Sequence, residues 1–268
     1  MIERPYYSSV NQLIHFFHEH IPEEIKGDPY IFLNPIIDEK KRSQRFFAET
    51  ARELCRNGIP VVRFDYYGCD DSCGELYEFD LNNILPLLSE IVKITIAKFQ
   101  CSKVNLLGLR LGADLALQFT EIHSQFVGKI CLIEPIIKGS RYLLDQRIRR
   151  SMFFKINNIN NPQEVVQING EEYEDFQGYP FSHSNLKFLN DLDSTKLTSL
   201  SSQKILLVKL NNISSRKHMT AFNEILSENN TVSFYRYPID DFWSVLEPQD
   251  TIELSKKITH ILVDELRN

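Results

Sequence analysis

The chain has 268 residues, 43% of them hydrophobic and 11% aromatic, with 30 lysines and arginines against 36 aspartates and glutamates for a formal net charge of -6. This composition can fill the core of one large domain and excludes global disorder, and its acidic balance argues against a nucleic-acid partner, which would call for a basic surface. No run of about 18 apolar residues could span a bilayer, and the opening Met1-Ile2-Glu3-Arg4-Pro5 lacks the layout of a secretory leader, so a cytoplasmic protein with no membrane span is expected.

The first 28 residues admit two readings, because Asn11 to His20 could form a helix or an edge strand; strands that open a sheet are preferred. Ile31 to Leu33 then reads as a strand and Arg42 to Arg56 as a helix. Ile59 to Phe64 is a second apolar strand, followed by helical spacing over Asp80 to Lys98, where Ile84, Leu87, Leu88, Ile91 and Ile94 recur every three or four positions. Val104 to Leu107 and Lys129 to Ile133 are further strands around a helix over Leu111 to His123. After a long interruption come a strand at Lys204 to Val208, a helix at Ser215 to Ser227, a strand at Val232 to Tyr237 and a helix at Gln249 to Arg267. Near-continuously apolar strands alternating with helices require parallel pairing with right-handed crossovers, hence a mostly parallel, doubly wound α/β sheet.

The interruption covers residues 139–202 and is rich in polar sequence such as Asn157-Asn158-Ile159-Asn160-Asn161-Pro162. It reads as a cap inserted into a core formed by 1–138 and 203–268, lying over the C-terminal edge of the sheet, where open α/β sheets bind ligands. The five cysteines, Cys55, Cys69, Cys73, Cys101 and Cys131, show no CxxC spacing, and none of the seven histidines falls in HxxxH or HExxH spacing. No disulfide framework, dedicated metal site or cofactor is expected.

Lys103 to Phe119 reads as strand, sharp turn and apolar helix, with Gly108 and Gly112 flanking Leu109-Arg110-Leu111. This is the layout of a nucleophile elbow, in which small residues allow a strained turn to project one side chain from the top of the sheet. Other pieces follow in a consistent order: Ile31 to Pro35, the loop Asp65-Tyr66-Tyr67-Gly68-Cys69-Asp70-Asp71-Ser72-Cys73-Gly74, the strand Lys204 to Val208, and Tyr237-Pro238-Ile239-Asp240-Asp241-Phe242-Trp243. Together they resemble the α/β-hydrolase superfamily over roughly residues 28–265. Gly108 to Ala113 and Leu132 to Leu143 look most like its exosortase-system-associated hydrolases. The resemblance implies an α/β-hydrolase fold, an oxyanion-hole loop at Asn34 and Ile36, a second anion-binding amide at Leu111, an acid position after Val208 and a histidine position near Asp241. The finer likeness implies a biosynthetic gene set for a surface polysaccharide or another secreted product.

The chain departs from that pattern at each catalytic position. Arg110 stands where the nucleophile belongs, and a guanidinium stays protonated and has no lone pair free to attack an acyl carbon. Asn211 and Asn212 stand at the acid position, and Asp240 and Asp241 at the histidine position. Without a Ser-His pair, acyl-enzyme chemistry of the usual kind is unavailable.

Two readings of Arg110 compete: it pairs with Asp241 or Asp240 and fills the vacated site, or it offers a planar fork to a ligand carboxylate or phosphate. Leu111, Ile36, Asn34, Asp240, Trp243 and Asn211 are the candidate ligand contacts. Arg110, Asp241 and His183, the last a base that could reach in from the cap, are the candidate catalytic groups. Ser72 and Cys73 are read as structural, and the Asp70-Asp71-Ser72 loop is set aside as a cation site for want of ligands. The expected function is a non-hydrolytic hydrolase relative that binds a small anionic or acyl ligand or a biosynthetic partner protein. The alternatives are an enzyme, a hydrolase, acyltransferase or isomerase using Arg110 and Asp241, and a structural subunit with its pocket filled.

Overall fold

A computed structural model describes residues 1–159, 163–197, 200–210, 216–244 and 251–267. The chain opens with strands β1 (Ile2–Val10) and β2 (Leu13–Ile21), paired antiparallel in a register that leaves Asn11 and Gln12 as a two-residue turn. Both turn residues have positive φ, 51° and 67°. That is the twist a tight hairpin needs, and asparagine tolerates it best among residues with side chains. The ambiguous N-terminal segment is therefore a strand pair.

The remaining core elements are β3 (Tyr30–Leu33), α1 (Asp38–Arg56), β4 (Val61–Phe64), α2 (Ile84–Phe99), β5 (Val104–Leu109), α3 (Leu111–His123), β6 (Val127–Ile133), β10 (Lys204–Lys209), α6 (Arg216–Ser227), β11 (Thr231–Arg236) and α7 (Ile252–Arg267). They build an eight-stranded sheet in the order β1-β2-β4-β3-β5-β6-β10-β11, parallel from β4 to β11. β3 and β5 are buried at every position and apolar apart from Asn105, whose side chain donates to Asp28 O and accepts from the Lys129 amide. Helices cover both faces. Leu88, Ile91, Leu115 and Phe119 of α2 and α3 pack on one, and Phe46, Phe47, Leu54, Leu254 and Ile258 of α1 and α7 on the other. Among the described residues, no helix is long and apolar enough to cross a membrane.

Between β6 and β10 lie α4 (Gly139–Ile156), a small antiparallel sheet of β7 (Val165–Ile168), β8 (Glu171–Asp175) and β9 (Pro180–Phe181), and α5 (His183–Asp191). α4 and α5 approach so closely that a Cβ on Gly139 would lie 1.9 Å from the Leu189 carbonyl oxygen. The Gly139 amide donates to Leu192 O at 3.0 Å, and Lys138 forms a strand bridge with Asp193. Two buried side chains fasten the segment to the core. Asn185 accepts from the Leu81 amide and donates to Phe79 O, and Ser194 donates to Asp114 of α3 at 2.5 Å.

Candidate functional site

β5 delivers Arg110 at the C-terminal edge of the sheet, and α3 begins at the next residue. Arg110 has φ 56° and ψ -124°, a sparsely populated conformation for a residue with a side chain. The two glycines are required by contact. A Cβ on Gly112 would lie 2.1 Å from Leu33 O, and one on Gly108 would lie 2.3 Å from Gly112 O. The elbow geometry foreseen in the sequence is therefore present, with arginine at its apex.

Arg110 meets a carboxylate that the sequence did not single out. Its Nε donates to Glu39 Oε1 at 3.4 Å and its NH1 to the Glu134 carbonyl at 3.4 Å. The guanidinium carbon lies 5.4 Å from the Trp243 ring centroid and 5.8 Å from that of Tyr142, so aromatic rings from two separate segments bracket the charge. Glu39 is fully buried in the first turn of α1, while 18% of the Arg110 side chain remains exposed. Burial pushes the Glu39 carboxyl above its usual range, with the Arg110 charge opposing. For Arg110, burial works against the charge, but Glu39, Tyr142, Glu134 and Asp241 outweigh it and hold the guanidinium above its usual range. Glu39 Oε2 and the Tyr142 hydroxyl have no hydrogen-bond partner, which leaves unused polar capacity beside the cation.

Beside this cluster lies a second buried pair. Glu134, at the end of β6, accepts from Lys209 Nζ at 2.7 Å and from the Leu210 amide at 2.6 Å. A small cavity of about 40 Å³ opens along the loop after β3, lined by Ile36, Ile37, Lys40, Tyr66, Tyr179 and Phe181 among others. It has room for a few waters, whereas pockets for organic ligands run to about 300–1,000 Å³. Arg110 does not line it.

The other expected site residues fall as follows. Leu111 is buried at the first position of α3, and Ile36 lies on the cavity wall. The Asn34 side chain is consumed structurally, donating to Phe64 O at 2.7 Å, while its carbonyl accepts from the Tyr66 hydroxyl. Trp243 is buried against Phe242 and Arg110, Asp241 contributes to the field at Arg110, and Asp240 is exposed. His183 is exposed in the first turn of α5, apart from the contacts that surround Arg110. Asn211 lies outside the described residues. Ser72 accepts from the Phe16 amide and donates to Asp65 O, the structural role expected of it. In the same loop, burial pushes the Cys69 thiol up to about 12, which makes it unreactive.

No protein-family model matches the chain, and no curated protein matches it. Solved structures do. Est1E from Butyrivibrio proteoclasticus superposes with a TM-score of 0.66 at 11% identity, covering 98% of this chain and 99% of its own. A proline iminopeptidase from Mycobacterium smegmatis gives 0.65 at 11% identity, covering 98% of each chain. The thioesterase domain of the curacin biosynthetic pathway gives 0.59 at 10% identity, covering all of both. The chain has the α/β-hydrolase fold.

Proposed function

We propose that this protein is a non-hydrolytic α/β-hydrolase-fold protein in which a fixed cation replaces the nucleophile, and that it binds a small anionic or acyl ligand at the elbow beneath a cap formed by residues 139–202. The observation that carries this reading is Arg110. It occupies the strained apex of an intact elbow, is held charged by Glu39, and lies against Trp243 and Tyr142, leaving no oxygen or sulfur nucleophile at the apex. The helix N-terminus at Leu111 adds a partial positive charge to the same spot. A carboxylate or phosphate entering there would displace Glu39 from Arg110. Because Glu39 already sits above its usual carboxyl range, it could take up a proton as it is released. The likeness of Gly108–Ala113 and Leu132–Leu143 to exosortase-system-associated hydrolases supports a place in a biosynthetic pathway, in the cytoplasm.

A second reading is favoured by one observation. The cavity next to the elbow is about 40 Å³ and excludes Arg110, as expected of a structural subunit whose vacated site is filled by side chains. One experiment separates the two and also tests for an enzyme. Wild type, Arg110→Ala and Asp241→Ala, purified identically, are assayed with short and medium acyl p-nitrophenyl esters and thioesters, then melted with short-chain carboxylates and phosphate. The binding reading expects no turnover and an anion-dependent rise in melting temperature that Arg110→Ala removes. The structural reading expects neither, and turnover lost in both variants would overturn the non-hydrolytic assignment.

A further inference from the structure

The edge hairpin carries a cluster that the elbow does not use. His18 and His20 stand two residues apart on β2, so both imidazoles leave the same face of the strand. The antiparallel register sets Glu3 of β1 opposite His20. The two rings stack with centroids 4.7 Å apart. His18 Nε2 faces Glu3 Oε2 at 3.4 Å without forming a hydrogen bond, and neither ring nitrogen of His20, which is fully buried, has a partner. A buried polar atom left without a partner is destabilising. One nitrogen from each ring lies beside a carboxylate, so a single shared ion could partner both rings.

One donor atom from each of Glu3, His18 and His20 lies within 4.8 Å of the other two. Tetrahedral coordination with arms of about 2.0–2.1 Å places ligand atoms about 3.4 Å apart, which is the separation between His18 and Glu3. The His20 donor lies within 4.8 Å of both and would have to move closer to complete the shell. We propose that Glu3, His18 and His20 form a binding site for a zinc-like divalent transition-metal ion, which clips the edge strand β1 to β2.

The donor set selects the class of ion. Two imidazoles and one carboxylate suit zinc, nickel or copper, whereas calcium and magnesium require a shell of oxygens. Burial lowers the proton affinity of both imidazoles, the direction that favours the neutral form a metal ion needs. Arg52 of α1 donates to Glu3 through Nε at 2.8 Å and NH2 at 3.2 Å, which fixes the carboxylate and leaves it lone pairs for an ion. The positive charges facing the cluster are Arg52 and Arg63, the latter opposite His18 on β4; both oppose a cation and lower its affinity. Glu49 acts on Arg52 and Asp65 on Arg63, which partly offsets that opposition. About a quarter of the His18 side chain is exposed, which gives an ion a path in.

The test uses the full chain stripped with a chelator and titrated with zinc chloride alone, followed by calorimetry and thermal melting. The expected result is one zinc per chain and a rise in melting temperature. His18→Asn and Glu3→Gln, both at partly exposed positions, should fold and each weaken binding by more than about tenfold, with loss of the melting shift. His20→Asn alters a fully buried position, so the other two variants carry the test. Absence of zinc binding by the wild-type chain would overturn the proposal. So would binding of equal strength in both variants, which would move the ion to other histidines such as His123 or His260.

Discussion

Two buried ion pairs lie side by side at the C-terminal edge of the sheet, and they differ in how fully they are satisfied. Lys209 and Glu134 touch at 2.7 Å, and the same carboxylate oxygen also accepts from the Leu210 amide. Arg110 and Glu39 are 3.4 Å apart, and Glu39 Oε2 and the neighbouring Tyr142 hydroxyl are left without partners. The first pair is in close contact, with a further bond from a backbone amide, and it holds β6 to β10. The second keeps unspent hydrogen-bonding capacity next to a charge, which is what a binding group needs and a structural one does not. That contrast supports the proposal that the elbow, and not the stronger pair beside it, is the binding site.

Breaking the closer pair should have the largest effect. Glu134→Ala strands a buried Lys209 ammonium and removes the acceptor of an amide, so a loss of about 3–5 kcal/mol is expected in urea unfolding. Arg110→Ala should be milder, about 1–3 kcal/mol in the same assay, because Glu39 is already pushed towards its neutral form and can protonate once its cation is gone. If the two losses are equal, the contrast between the pairs fails.

A third buried carboxyl offers a pH-dependent reference. Burial pushes Asp114 from 3.8 up to about 6, against the hydrogen bonds from Ser194 and Ile136. Between those two values the folded chain holds a proton that the unfolded chain has released. Asp114 therefore contributes a fall in stability as pH rises from about 4 to 6, and no further change above that. His20 runs the opposite way, its stabilisation being complete above about 6.5 and fading towards 3. Urea midpoints for Asp114→Asn across pH 4–7 should lack the Asp114 slope and show the histidine trend more plainly. The smallest effect belongs to Glu39→Gln, expected within about 1 kcal/mol of wild type, since burial opposes the Glu39 charge and Glu134 and Asp241 still face Arg110. A larger loss would mean that the Arg110–Glu39 pair depends on full charge.

The sheet and the elbow were legible in the sequence because both rest on local rules. Buried parallel strands are predominantly apolar, and Gly108 and Gly112 are imposed by backbone contacts that admit no side chain. The partner of Arg110 was not legible. Glu39 lies 71 positions away, on a helix that starts at Asp38 rather than at Arg42. The residue before that helix, Ile37, turns the chain with φ 58° and no side-chain cap, so no capping signal marks the start. Tyr142 was hidden for another reason. α4 presents Leu144, Ile148 and Met152 to solvent as well as apolar residues to the core, which erases the one-sided periodicity that reveals a helix.

The close meeting of Gly139 with Leu189, together with the Lys138–Asp193 bridge, draws the entry and exit of the α4-to-α5 segment into a narrow neck. Such an excursion leaves and rejoins the sheet at one place, yet Tyr142, Phe181 and Leu189 pack it into the same core as α2 and α3. A different insert grafted at the same two points should therefore change the surroundings of Arg110, because it replaces Tyr142, and should lower the stability of the sheet by removing that shared packing.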